Sequence, residues 1–287
     1  MKRKSLIFCA SLVLGTLACS KDDSSTDDTA GTDTGAPADT DTDTDSDTDT
    51  DTDTDSDTDT DTDTDTDTDT DIDISQDCTD DASNICALQT GAYAEGDSVT
   101  VTGILPGAAT TYGFFVVAPE GGAWRGVWVY TGSGNTQEGV LNAGDEVTVT
   151  GVYKEFDFGG NAGDLTQTEL EATAVDTVVL VSNGNAVPAA LTVSVTDLSD
   201  AEIAEALENT LVRIESATVT DVAPDTYGNW IVDGTQYVGT HWMEAPEGLA
   251  NGDTFEAVQG VLTDHYGQSK IFPRDASDLE GWVGTTN

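Results

Sequence analysis

A chain of 287 residues with 55 Asp and Glu against nine Lys and Arg carries a formal charge of −46. That field opposes binding to phosphate backbones, whose affinity comes mainly from Lys and Arg displacing counterions. The acidity is not confined to one segment: from Cys78 onward 31 Asp and Glu face only Arg125, Lys154, Arg213, Lys270 and Arg274. Such a balance favours solubility and association with cations and says nothing about fold.

Residues 1–18 read as an export signal: Lys2, Arg3 and Lys4, then an apolar stretch from Leu6 to Leu17 too short to span a bilayer comfortably. Gly15-Thr16-Leu17-Ala18-Cys19 resembles the lipobox of bacterial lipoproteins, in which a small residue precedes the cysteine that receives diacylglycerol. The resemblance implies cleavage before Cys19, lipidation of that residue, and a mature chain more acidic by three charges. Ser20 in second place resembles an outer-membrane sorting signal, which would put the folded part outside the cytoplasm on a membrane anchor. The competing reading is ordinary secretion with cleavage near Ala18.

Residues 19–77 read as a tether. Every odd position from Asp39 to Asp73 is aspartate, with Thr or Ser at nearly every position between, so the run has too little apolar surface to offset the entropy of ordering. Neighbouring carboxylates lie roughly 7 Å apart when extended, inside a Debye length of about 8 Å, and each pair repels by about 0.6 kcal/mol in water. Repulsion favours an extended chain, with a reach of up to roughly 180 Å at about 3.1 Å per residue. A calcium loop would need a glycine at its turn and a distal bidentate Glu, and the run has neither. Loose association of calcium is the expectation, with no cofactor.

With Cys9 in the signal and Cys19 lipidated, Cys78 and Cys86 remain as an even pair in an oxidising compartment, and a disulfide is expected. Its short loop limits the chain-entropy gain to about 2.6 kcal/mol. Its position would keep the first strand from fraying.

Beyond Cys86 short alternating runs of Val, Thr and aromatic residues between turn signals indicate an all-β protein. Glu95-Gly-Asp-Ser-Val-Thr-Val-Thr-Gly103 recurs as Ala143-Gly-Asp-Glu-Val-Thr-Val-Thr-Gly151 and, more loosely, from Asn251 to Gly260. Each copy opens on a Gly-Asp turn, alternates, and closes on a glycine that lets the strand bend as a barrel corner requires. Strands are expected near 97–104, 112–118, 125–131, 145–154 and 166–181, and again near 210–221, 228–233, 236–242, 253–264 and 269–274. Five strands twice predict two tandem OB-like five-stranded barrels, one over 78–190 and one over 191–287. A short linking helix is expected from a capping box, Ser199-Asp-Ala-Glu202, followed by Ile203, Ala206 and Leu207 on one face, with Asn209 ending it.

The segments GFFVVAPEGGAWRGVWVYTG (113–132), GDEVTVTGVYKEF (144–156), LTQTEL (165–170) with SNGNAVP (182–188), and LENTLVRIESATVT (207–220) resemble the OB-fold-like accessory region of bacterial secreted nucleases. The resemblance covers most of 88–282 and implies that fold and a secreted accessory role. No catalytic residue carries over, because the phosphoesterase domain that accompanies this region in the family has no counterpart in these 287 residues. Many OB-folds carry a helix between strands three and four, where this chain has only the Gly-rich stretch from Thr131 to Gly139.

Chemistry is sparsely signalled. His241 and His265 are the chain's only histidines, no G-x-S-x-G elbow exists, and the reading is that the protein is not an enzyme. Neither Asp264 with the two histidines nor the acidic, Gly-rich stretch from Glu155 to Asp164 has the ligand spacing of a defined metal site. OB barrels bind oligomers across strands two and three and the adjoining loops. In the second unit these carry Tyr227, Trp230, Tyr237, His241, Trp242, His265, Tyr266, Lys270 and Arg274, an aromatic set suited to stacking on sugars or bases. The bland reading makes Trp230 and Tyr237 core and pairs Lys270 and Arg274 with nearby acids. In the first unit Trp124, Trp128 and Tyr130 are expected to point together, beside Arg125. The expected function is a lipid-anchored envelope protein displaying tandem OB-like domains as a binding or structural module, with an envelope polysaccharide or a protein as partner. The alternative is a nucleic-acid-binding accessory of a separate secreted nuclease, which the charge disfavours.

Overall fold

In the computed structural model, residues 72–158 and 166–285 are described; most of the proposed tether and the whole signal lie outside them, as do 159–165. The expected disulfide joins Cys78 to Cys86, eight residues on, across a Cα–Cα distance of 5.5 Å. The first unit has α1 (Ile85–Gln89), β1 (Ser98–Ile104), β2 (Gly113–Val117), β3 (Gly126–Tyr130), β4 (Glu146–Phe156), β5 (Gln167–Glu171) and β6 (Val178–Ser182). These pair in the order β1-β2-β3-β5-β4, and β4 returns to β1 over the full register from Ser98↔Val152 to Ile104↔Glu146, which closes the cylinder. The β3–β5 pair is parallel and the other pairs are antiparallel.

The second unit repeats this order. It contains β7 (Leu191–Thr192), α2 (Val195–Ser199), α3 (Ala201–Ala206), β8 (Leu211–Glu215), β9 (Val219–Asp221), β10 (Trp230–Val232), β11 (Gln236–Val238), β12 (Ala257–Asp264), β13 (Ser269–Phe272) and β14 (Leu279–Glu280). Taking β8 and β9 as halves of one bent strand, the pairing is first–second–third–fifth–fourth–first, again with the third and fifth parallel. Both units are therefore OB-type barrels, as the doubled five-strand pattern predicts.

The echoed motif explains how the cylinders close. In each copy the Asp carboxylate accepts from the backbone N–H three residues earlier: Asp97 from Ala94 (2.8 Å), Asp145 from Asn142 (2.8 Å) and Asp253 from Ala250 (3.0 Å). The preceding Gly96, Gly144 and Gly252 all sit at positive φ, between 84° and 96°, the conformation such a turn demands. At the other end, Gly151 and Gly260 mark where a fourth strand passes from one neighbour to the next: β4 pairs with β1 up to Val152 and with β5 from there, and β12 pairs with β8 up to Val261 and with β13 from there. A Cβ on Gly260 would lie 2.3 Å from the Phe272 carbonyl oxygen.

Alternation then sorts the side chains. Val99, Val101, Phe114, Val116, Val127, Val129, Val147, Val149 and Leu170 fill the first barrel, and Ile85 and Leu88 of α1 cover its end. Val212, Ile214, Trp230, Val232, Val238, Val258, Leu262 and Ile271 fill the second, covered by Leu198 and Leu207 around α2 and α3. Each barrel is thus plugged by helix that precedes its first strand, which removes the need for a helix between strands three and four; the stretch after β3 forms only a 3-10 turn, Ser133–Asn135.

Several local expectations are corrected. The capping box belongs to Ser194 and Asp197, at the head of α2, and Asp200 caps α3 by accepting from Glu202 and Ile203 N–H at 2.8 and 3.3 Å. Ser199 instead donates its hydroxyl to the Val195 carbonyl at 2.8 Å, so the linking helix is two short helices. Asn209, at φ 61°, follows the last helical residue Ala206 by three. The segment 166–181 is two strands, parted where Asn135 Nδ2 ties down the Ala172 and Ala174 carbonyls at 2.9 and 3.0 Å. The stretch 210–221 breaks at Ser216, φ 57°. The disulfide secures α1 rather than β1, with Cys86 against Trp124 and Ala206.

Trp124 does not share a face with Trp128 and Tyr130. It adopts φ 61° in the β2–β3 loop and is packed in the small cluster around Cys86. Its Nε1 donates to the Ile74 carbonyl at 2.9 Å, and Ile72 packs on the second core. Residues 72–77 thus lie along the fold, ahead of the boundary at Cys78 that composition suggests. Ile72 and Ile74, two apart and the first apolar residues of the Asp run, were the signal for this.

Gly260→Ala should destabilise the protein by roughly 1–3 kcal/mol, because its methyl meets backbone rather than a yielding side chain. Urea unfolding followed by tryptophan fluorescence measures this, and an unchanged midpoint would contradict the close approach.

Candidate functional site

The outward side chains of the first barrel form a row across four strands. Register aligns Phe115 on β2 with Trp128 on β3, Trp128 with Glu169 on β5, and Glu169 with Lys154 on β4. Because side chains alternate, Phe115 and Trp128 point away from the barrel core that holds Phe114 and Val129. They pack instead against Leu211, Val261 and Phe272 of the second barrel. Burial of each such side chain contributes about 1.5–3 kcal/mol, so this seam joins the barrels firmly.

A polar seam runs beside it. Gln167 Nε2 donates to Asn209 Oδ1 (3.2 Å) and Thr263 Oγ1 (2.5 Å), Glu208 accepts from the Thr168 N–H (3.0 Å), and Asn209 Nδ2 reaches the Thr168 carbonyl (3.3 Å). Trp242 Nε1 donates to the Ala108 carbonyl at 2.7 Å.

Where the seam opens, a cleft of two lobes forms. The first, about 430 Å³, is walled by Tyr112, Trp128, Tyr130, Phe156 and Phe272, with Lys154, Gln167, Glu169 and Glu171 among its polar groups. The second, about 440 Å³, lies against the second barrel and holds Asp225, Tyr227, Asn229, Tyr266 and Lys270. His241, His265 and Phe272 border both lobes. His241 stacks on Phe272 with centroids 5.2 Å apart and meets Phe115 and Trp128 edge-on.

Of the nine ligand-binding candidates, Tyr227, His241, His265, Tyr266 and Lys270 line the second lobe. Trp230 is core, 1% exposed and tilted against Phe255 with ring centroids 5.5 Å apart, as the bland reading has it. Trp242 belongs to the barrel–barrel seam. Arg274 pairs with Asp278 at 2.6 Å and reaches the Pro106 carbonyl at 3.5 Å. Tyr237 is half-buried on β11 beside Lys270, outside both lobes. The first lobe, apart from Trp128 and Tyr130, has no single-motif signature; register across β2, β3, β5 and β4 assembles it, and only the alternation of GVWVY and QTELE hinted at which side chains face out.

Burial shapes the electrostatics. His241 and His265 are each held down to about 4, mainly by burial, with His265 adding to the effect on His241 and Lys270 to that on His265. Both are neutral at pH 7. Glu169, 5% exposed, is pushed up to about 7 by burial and by Glu171 against the pull of Lys154. Lys270, 4% exposed, is lowered by burial while Asp225 opposes the shift, and it has no ion pair among the described residues. Two polar side-chain atoms at the cleft are buried without a partner, Gln167 Oε1 and His241 Nε2. Among the described residues no three His, Cys, Asp or Glu converge as a metal site, and no helix is long and apolar enough to cross a membrane.

No protein-family model matches the chain, and no curated protein does. Among solved structures it is similar to the single-stranded DNA binding protein from Thermus aquaticus. A deletion mutant of that protein shares 13% identity over 68% of this chain and 97% of the other, with a TM-score of 0.24. The wild-type form shares 14% over 68% and 95%, with a TM-score of 0.20. Likeness at those scores bears no weight for ligand or function, and the OB assignment rests on strand pairing.

The buried groups set a pH dependence. Between pH 4.5 and 6.5 the unfolded chain protonates both histidines and ionises Glu169, whereas the fold keeps the histidines neutral and Glu169 protonated. From these three groups the unfolded state binds one more proton, so they make stability rise with pH by about 1.4 kcal/mol per unit. Glu169→Gln removes the opposing carboxyl and should steepen the dependence by about one further proton across that window. Urea unfolding at pH 4.5, 5.5 and 6.5 tests this; parallel profiles for variant and parent would refute the burial of Glu169.

Proposed function

We propose that this protein is a binding module displayed on a bacterial envelope, attached through a lipid on Cys19 and the acidic tether, and that the cleft between its OB barrels takes an envelope saccharide. The observation that carries this reading is the pairing of stackable aromatic faces with buried, unpartnered polar atoms in one cleft, the Gln167 Oε1 acceptor and His241 Nε2. Buried polar atoms in folded proteins nearly always find partners, so atoms left open at a cleft call for hydrogen-bonding groups from a ligand. Sugar hydroxyls donate and sugar rings stack on aromatic side chains. Nucleic acid fits less well, because 31 acidic residues surround five cations and phosphates would meet an opposing field.

Exposed aromatics allow a test that spares the core. Tyr112 (59% exposed) and Tyr227 (79% exposed) rim the first and second lobes. Each Tyr→Ala change should weaken retention on immobilised envelope polysaccharide roughly tenfold, as loss of one stacking platform does. A shift of single-stranded DNA at moderate salt with no retention on polysaccharide would favour the accessory reading instead. Labelling with radioactive palmitate is expected for the parent chain and lost in Cys19→Ala; label that persists in the variant would overturn the anchor.

A further inference from the structure

Glu169 is a carboxyl in an unusual place. It occupies the centre of an exterior barrel face, between Trp128 on the parallel neighbour β3 and Lys154 on β4, yet is only 5% exposed because the second barrel roofs the face. It borders the first lobe and makes no hydrogen bond or ion pair within 4 Å among the described residues. The nearest cation is already engaged: Lys154 forms an ion pair with Glu171. The lobe that Glu169 borders is also lined by the rings of Trp128, Tyr130, Tyr112 and Phe156.

We propose that this lobe receives an organic ammonium group, which ion-pairs with Glu169 while its carbon substituents pack on the surrounding aromatic rings; the inference rests on the binding-module reading and specifies the chemistry its first lobe selects. Ring faces carry partial negative charge and attract cations, most strongly where water is displaced. Of the lobe's other unpartnered polar atoms, Gln167 Oε1 is an acceptor and His241 Nε2 accepts in one neutral tautomer, so both suit a donor. An anion would meet Glu169 and Glu171 with the one lysine already paired. A bare metal ion would require six or more oxygen ligands for calcium, and no three acidic or histidine side chains converge among the described residues. The acidic field of the whole fold concentrates cations at the cleft mouth.

Binding then couples to protons. The groups facing Glu169 are Lys154 on β4, Glu171 on its own strand, and the neutral His241 and His265 across the seam. A bound ammonium holds Glu169 ionised, so below about pH 7 each cation that enters expels a proton and affinity rises about tenfold per pH unit.

Two sources share this chemistry, an amino sugar and an alkylammonium compound, and calorimetry on the full chain separates them. The probes are choline, its uncharged isostere with carbon in place of nitrogen, a glucosamine trimer and its N-acetylated counterpart. Choline is expected to bind at pH 8 and about tenfold more weakly at pH 6, with the isostere silent; Glu169→Gln, which should remain folded, is expected to lose at least about tenfold in affinity together with the pH dependence. Tyr112→Ala provides a second variant that weakens choline while retaining the pH dependence. Tighter binding of the glucosamine trimer than of the acetylated one identifies an amino sugar as the source. Equal binding of the two trimers without binding of choline overturns the ammonium site but leaves the saccharide module standing. Binding of choline alone sustains the site and removes the saccharide reading. An isostere as tight as choline, an unaffected Glu169→Gln variant, or silence from all four probes overturns the proposal.

Discussion

The contact of Phe115 and Trp128 with Leu211, Val261 and Phe272 is the interaction on which the rest depends. An OB barrel normally leaves the outer face of its second and third strands to a ligand. Here part of that face in the first barrel is apolar enough to require cover, and the second barrel provides it. The roof buries Glu169 and His241 at the same time, so the perturbed charges and the cleft arise from one act of packing. Separated barrels would leave Glu169 open to solvent and would lack the first lobe, whose walls come from both.

Internal duplication gives the two lobes opposite characters. The row Phe115–Trp128–Glu169–Lys154 of the first barrel corresponds by strand pairing to Ile231–Tyr237–Lys270–Thr263 of the second. At the central place of the fifth strand one barrel carries a buried carboxyl and the other a buried ammonium, 5% and 4% exposed. Each is shifted toward its neutral form by the same cause, removal from water. The same scaffold thus carries opposite charge types at one topological position, with His241, His265 and Phe272 bordering both lobes.

Much of the scaffold was legible from residues alone because it is written in local codes. Three Gly-Asp turns, the alternation after them and the glycines at Gly151 and Gly260 specify bent strands, and the strand count gave the paired barrels. Helix starts were read less well: Ser199 with Glu202 matched a capping pattern, but Asp200, one residue on, offers a carboxylate that two N–H groups prefer. The site resisted for a different reason. Tyr227, His241, His265, Tyr266 and Lys270 cluster within one barrel and could be gathered by strand order, whereas Glu169 acquires meaning only through its register with Trp128 and through cover by residues a hundred positions further on. Long-range packing of that kind leaves no spacing to recognise.

The way the chain enters the fold also fixes how it would carry a load. Residues 72–77 run along the second core and the small cluster around Cys86, held by Ile72 and by Trp124 Nε1 on the Ile74 carbonyl, before Cys78 is cross-linked to Cys86. Traction from upstream would first strip these contacts, a sacrificial hook, and would then stop at a covalent ring braced from within by Asp81, which accepts from the Cys86 N–H at 2.6 Å. A pull on the upstream chain therefore ends at the bridge and spares β1, whose first residue lies twelve positions beyond Cys86.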